Sequence, residues 1–221
     1  MTELCPPRSI VVSCQAGPSS PLRDPGTMAA MARAAVAGGA AAIRANGARD
    51  VAAIRAAVDV PVLGIDKSGD PAGVYITPDV DSAAAIVAAG AQVVAIDGTL
   101  RPRADGRPFA AHVAEIHERL RVEVMADVDS FEAGIAAREA GADLVATTLS
   151  GYTGSSVPEG PDLELVARLG AALDCPVIAE GRYWTPADVQ AGFDAGAHAI
   201  VIGTAITNPE AITRRFVEGS R

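Results

Sequence analysis

Eight short apolar runs in this chain end in residues able to do chemistry: Cys14-Gln15, Arg44-Asn46, Lys67, Asp97, Asp127, Thr147-Thr148, Glu180-Arg182 and Gly203-Thr204. A single strand-end aspartate such as Asp97 ordinarily caps the next loop or helix. A full ring of polar ends is a stronger signal, that of a mouth where side chains converge on a ligand. Lys67 and Glu180 stand out as the only lysine and glutamate at such ends. Groups approaching one carbon from opposite sides can take a proton from one face and return a proton to the other, which is an epimerisation. The same two residues could instead form a structural ion pair across a narrow mouth. Either way each perturbs the other's pKa, as acid/base work near neutral pH requires.

A second signal lies in EGR at 180–182 and IGTAIT at 202–207. Gly181, Gly203 and Thr204 fall where barrels bind phosphate, through backbone N–H groups and a short helix N-terminus. Arg182 can add a charge-assisted bond there. Metal chemistry finds little support. His112 and His117 are five residues apart, off the i, i+4 spacing of a helical ligand pair, and His198 precedes the last strand. No Walker-type loop or G-x-S-x-G elbow is present, and neither a metal nor a cofactor is expected.

The elements that must position these residues follow from a repeated phrase. GGAAAIRA (38–45), AGAQVVAIDG (89–98), AGADLVATT (140–148) and AGAHAIVIGT (195–204) each stop an Ala-rich helix at Gly and run into a strand. VDVPVLGIDK (58–67) and LDCPVIAEG (173–181) do the same with Pro. Eight strands are expected: 10–15, 41–46, 62–67, 93–98, 122–128, 144–149, 177–181 and 199–204, with a last helix over 209–218. Continuous apolar strands alternating with amphipathic helices indicate a parallel sheet covered by helices. Eight such units predict one closed (β/α)₈ TIM barrel of the phosphate-binding type over residues 1–221. An open doubly wound sheet is the rival, but a glycine-rich turn after the first strand is missing.

Composition agrees. Of 221 residues 49% are hydrophobic and only 4% aromatic, so Ala, Val, Ile and Leu must fill the core. A net charge of −9 without a basic cluster argues against nucleic acid as partner. No apolar run approaches the roughly 20 residues of a membrane span. The opening MTELCPPRSI lacks a signal-peptide pattern, and Cys5, Cys14 and Cys175 read as reduced thiols, so a cytoplasmic protein is expected.

VSCQ (12–15), AIRANG (42–47), PVLGIDK (61–67), VYITP (74–78), the loop containing RPR (101–103), MADV (125–128), TTLSGYT (147–153), IAEGRYWTP (178–186) and GTAIT (203–207) occur in this order. From about Val11 to Arg215 the chain resembles the N-acylglucosamine-6-phosphate 2-epimerase family, also called the N-acetylmannosamine-6-phosphate 2-epimerase family. The resemblance implies interconversion of N-acetyl-D-mannosamine 6-phosphate and N-acetyl-D-glucosamine 6-phosphate, in sialic acid and amino-sugar catabolism. It makes Lys67 and Glu180 the acid/base pair and brings Gln15, Arg44 and Asp127 to the substrate; Thr148 lies in the matching TTLSGYT motif. A homodimer is implied too. Two departures stand out: IDKSGD puts Asp66 beside the lysine, and Asn208 in GTAITNP replaces an arginine usual in the family. A Schiff-base lyase using Lys67, or a non-catalytic sugar-phosphate barrel, is the alternative.

Overall fold

A computed structural model describes residues 4–70, 72–154 and 157–220. Eight strands, β1 (Ser9–Cys14), β2 (Ala42–Asn46), β3 (Val62–Ile65), β4 (Val93–Asp97), β5 (Glu123–Asp127), β6 (Leu144–Ala146), β7 (Val177–Glu180) and β8 (Ala199–Ile202), close in chain order into a barrel, all pairs parallel. Helices follow them in turn: α1 (Pro25–Ala37), α2 (Ala48–Arg55), α3 (Val80–Ala88), α4 (Phe109–Leu120), α5 (Phe131–Glu139), α6 (Leu163–Ala172) and α7 (Pro186–Asp194). After β8 come a one-turn α8 (Thr204–Thr207) and α9 (Pro209–Gly219). Helix entries carry side-chain caps, at Asp24, Asp79, Ser130 and Asp162, with a capping box between Thr185 and Asp188.

The expected strands are all present, but most are shorter than expected at their C-terminal ends. Thr147–Leu149 turn away after β6, and Thr204, expected as strand, opens α8. Lys67, expected on the third strand, lies two residues beyond β3, where it makes an isolated antiparallel bridge with Ile76. A parallel ladder ends where polar side chains turn to loops and solvent, so an apolar run overstates it.

Side-chain parity decides what faces the interior. Ala42, Leu63, Ile65, Ala95, Met125, Ile178 and Val201 pack in the barrel interior, while Ile43, Ala45, Val62, Val94 and Val124 pack under the helices. Counting in twos along each chain from these interior positions reaches Arg44 and Asn46, Lys67, Asp97, Asp127 and Glu180. The polar ring is therefore the top layer of the barrel core. Register sets Asp97 beside Asp127 on neighbouring strands. Each of those buried carboxylates has its own cation, Arg101 for Asp97 and Arg44 for Asp127. No helix among the described residues is long and apolar enough to cross a membrane.

Candidate active site

Arg44 is 1% exposed and bridges three strands. Its two terminal nitrogens grip Asp127 in a bidentate pair, Nη1 to Oδ1 at 3.0 Å and Nη2 to Oδ2 at 2.5 Å. Nη1 also donates to Glu180 Oε2 at 2.8 Å. The Thr148 hydroxyl lies between the carboxylates, 2.6 Å from Asp127 Oδ1 and 3.2 Å from Glu180 Oε2. Thr147 fixes the backbone of Glu180: its hydroxyl accepts the Glu180 N–H at 3.0 Å and lies 3.1 Å from the Glu180 carbonyl.

Lys67 completes the cluster. It is the only lysine among 18 basic residues, all the rest being arginine. Its side chain stands at the open mouth and, among the described residues, makes no hydrogen bond or ion pair. Surrounding protein atoms and then the Arg44 charge hold its ammonium below the ordinary lysine range, opposed by Glu180 and Asp127. Burial drives Glu180 the other way, above the usual carboxylate range; Asp127 adds to this, against the pull of Arg44 and Lys67. The two groups thus approach each other in proton affinity.

A cavity of about 480 Å³ opens over this cluster. Of the residues expected at a site, Gln15, Arg44, Lys67, Thr148, Glu180, Gly181, Arg182, Gly203 and Thr204 line it. Asp127 does not; it lies behind Arg44 and is fully buried. Gly181 takes φ 109°, open to glycine without strain, and Arg182 follows at 63°. Arg182 is largely committed to the protein, Nε to Gly160 O and Nη1 to Ser150 O, both at 2.6 Å, leaving Nη2 buried and without a hydrogen-bond partner among the described residues. Gln15 donates from Nε2 to Ser13 Oγ at 2.8 Å, and its Oε1 is buried and unpartnered among the described residues. Asn208 caps α9, accepting from Ala211 N at 3.0 Å, and its residue lines the cavity. Arg214 pairs with Glu210 on its own helix, whereas Arg215 stacks on Trp184, a cavity residue. Asp66, beside Lys67, accepts from Ser68 at 2.7 Å and does not line the cavity.

Tyr75 also lines the cavity, and Asn46 and Thr77 bond the backbone around Lys67. Tyr75 and Thr77 stand in the VYITP motif and Asn46 ends β2, but only the interior parity of Asn46 signals a role in advance. The histidines have structural partners: His117 with Asp143 at 2.7 Å, His112 beside Asp105 at 3.1 Å, and His198 with the Cys5 carbonyl at 3.0 Å. No group of three or more His, Cys, Asp or Glu among the described residues is placed to hold a metal ion. The cysteines are free, and burial raises Cys5 to about 11 and Cys14 to about 12, far from a reactive thiolate.

A closed parallel barrel with a titratable cluster in a cavity over its C-terminal mouth defines a TIM-barrel enzyme. Residues 28–221 match the family described as "Putative N-acetylmannosamine-6-phosphate epimerase". The chain belongs to that family. Relatives named "Putative N-acetylmannosamine-6-phosphate 2-epimerase" include one from Cutibacterium acnes, 52% identical over 96% of this chain and 93% of its own. Another, from Caldanaerobacter subterraneus, is 47% identical over 94% of this chain and 89% of its own. The solved N-acetylmannosamine-6-phosphate 2-epimerase of Clostridium perfringens superposes with a TM-score of 0.94 at 38% identity, over 99% of this chain and 96% of that one. Thiamine phosphate pyrophosphorylase of Pyrococcus furiosus, at 19% identity and a TM-score of 0.63, shares the fold.

Proposed function

We propose that this chain, as one catalytic domain, interconverts N-acetyl-D-mannosamine 6-phosphate and N-acetyl-D-glucosamine 6-phosphate by moving the proton at C2. The carrying observation is a lone lysine and a buried-side glutamate at one cavity, with an arginine holding the glutamate. In the open-chain sugar the C1 aldehyde acidifies C2–H. One of Lys67 and Glu180 takes that proton, the C–H electrons form a C1=C2 double bond as the aldehyde oxygen takes up the charge of an enolate, and the other group protonates C2 from the opposite face. The pair must hold one dissociable proton, on either partner. A turnover hands that proton from one partner to the other, so both directions are served. Raising Glu180 and lowering Lys67 brings the two arrangements closer in energy.

Arg44 serves this scheme by fixing Glu180 and balancing Asp127, since both its terminal nitrogens are occupied. Gln15, on the cavity wall, offers its side-chain amide to the acetamido group. The phosphate takes the end of β7 and β8, with Gly181, Arg182, Gly203 and Thr204 as its contacts and Thr148 on the sugar side. The active form is a homodimer, supported by the exposed apolar face of α9, where Phe216 is 75% exposed; its place is the cytoplasm. Incubation with N-acetylmannosamine 6-phosphate in deuterated water tests the chemistry. Deuterium at C2 of both recovered sugars is expected, and its absence overturns the scheme.

A further inference from the structure

β3 is too short to serve its neighbour. It pairs with β4 only at Leu63↔Val93 and Gly64↔Val94, leaving the upper half of β4 without a strand on that side. The loop after β3 fills the gap. Ile76 accepts the Asp97 N–H at 2.9 Å, and the Thr77 hydroxyl donates to the Ala95 carbonyl at 2.7 Å. The same hydroxyl accepts the Asp66 N–H at 3.0 Å, and the Thr77 N–H donates back to the Asp66 carbonyl at 2.6 Å. One residue on, the Lys67 N–H donates to Asn46 Oδ1 at 2.9 Å.

Thr77 does this from an unfavourable backbone. It is 1% exposed and has φ 46°, the left-handed region. A β-branched side chain is rarely found there, and the conformation persists only where surrounding bonds over-determine it. Glycine would relieve the backbone but could not supply a hydroxyl that joins Asp66 to Ala95. We propose that Thr77 is a positioning residue for Lys67: its hydroxyl, together with the Asn46 amide, clasps the backbone at 66–67 and sets where the amine stands in the cavity. This assignment rests on Lys67 being an acid/base group of the epimerisation.

Three substitutions test it: Thr77→Val, which keeps the shape and removes the hydroxyl; Thr77→Gly, which suits the positive φ and so keeps the chain folded; and Thr77→Ser. Displacing a reacting group by about 1 Å costs on the order of a hundredfold. Val and Gly should therefore lower kcat by about that factor and leave KM within about twofold. Ser should restore most of the turnover. A second readout needs no substrate. Because Lys67 is the only lysine, reductive methylation with ¹³C-formaldehyde labels it and, apart from it, only the chain's N-terminal amine. Its NMR titration midpoint should rise in the Val and Gly variants, towards an ordinary lysine, and return in Ser. Folded Val or Gly variants with wild-type kcat and an unmoved midpoint overturn the assignment. A moved midpoint in a protein whose wild type exchanges no C2 proton upholds the clasp and refutes the epimerase reading instead.

Discussion

Replacing Arg44 by methionine removes the one cation between two carboxylates while roughly keeping the volume. Asp127 is fully buried and would keep only the Thr148 hydroxyl, losing bonds of 3.0 and 2.5 Å. Glu180, 15% exposed, would lose a 2.8 Å pair but retain water at the mouth. The loss is therefore dominated by Asp127. Breaking a buried ion pair from one side costs about 3–5 kcal/mol, which for a chain of this size lowers Tm by about 6 to 20 °C at roughly 2–4 °C per kcal/mol. The pH dependence has a definite sign. Without Arg44 the pKa of Glu180 climbs further above its unfolded value, and a group raised in this way stabilises the fold below its unfolded pKa and ceases to as pH rises through the folded one. The deficit of Arg44→Met should accordingly be largest near neutrality and shrink as pH falls into the carboxylate range. Arg44→Met with Asp127→Asn should recover part of it. Urea or thermal denaturation at several pH values reads all of this. A loss under about 1 kcal/mol, or one that does not change with pH, refutes a structural charge network here.

Lys67→Arg keeps the positive charge but cannot deprotonate, so kcat should fall by about a hundred- to ten-thousandfold with Tm unmoved; a coupled turnover assay beside a melting curve checks both. The pH profile of kcat/KM should be a bell, failing when both partners of the Lys67/Glu180 pair are protonated or both are not. Its acid limb should lie above the ordinary glutamate range and its alkaline limb below the ordinary lysine range. A profile flat into the ordinary lysine range would contradict that pairing. Phe216→Glu on the exposed face of α9 should shift the protein from dimer to monomer in light scattering, and an unchanged mass removes α9 from the interface.

The strands were legible because most apolar runs follow a Gly or Pro stop, the fifth being the exception, where Arg121 takes the left-handed cap, and the barrel followed from their number. Their upper ends were not legible, since hydrophobicity continues past the last ladder bond: Leu149 is buried but sits in a turn. Lys67 and Glu180 could be singled out by type and position. That Arg44 stands between Glu180 and Asp127 could not, because pairing across non-adjacent strands depends on barrel closure and parity rather than local pattern. Thr77 was hidden more deeply. Its signal is a left-handed φ in a threonine, which no propensity announces. Asn208 reads as a missing cation in sequence and proves to be a helix cap in space.

The Arg44 cluster also has a mechanical meaning. Neighbouring strands are already tied by their ladders, but this guanidinium joins β2 to β5 and β7, across partners 83 and 136 residues away. It acts as a cross-brace on the ring, resisting flattening of the mouth. Where such long-range contacts form after the folding barrier, Arg44→Met speeds unfolding and leaves the folding rate unchanged, which the two arms of a chevron read. The group that holds Glu180 in the site is thus also a tie across the folded barrel.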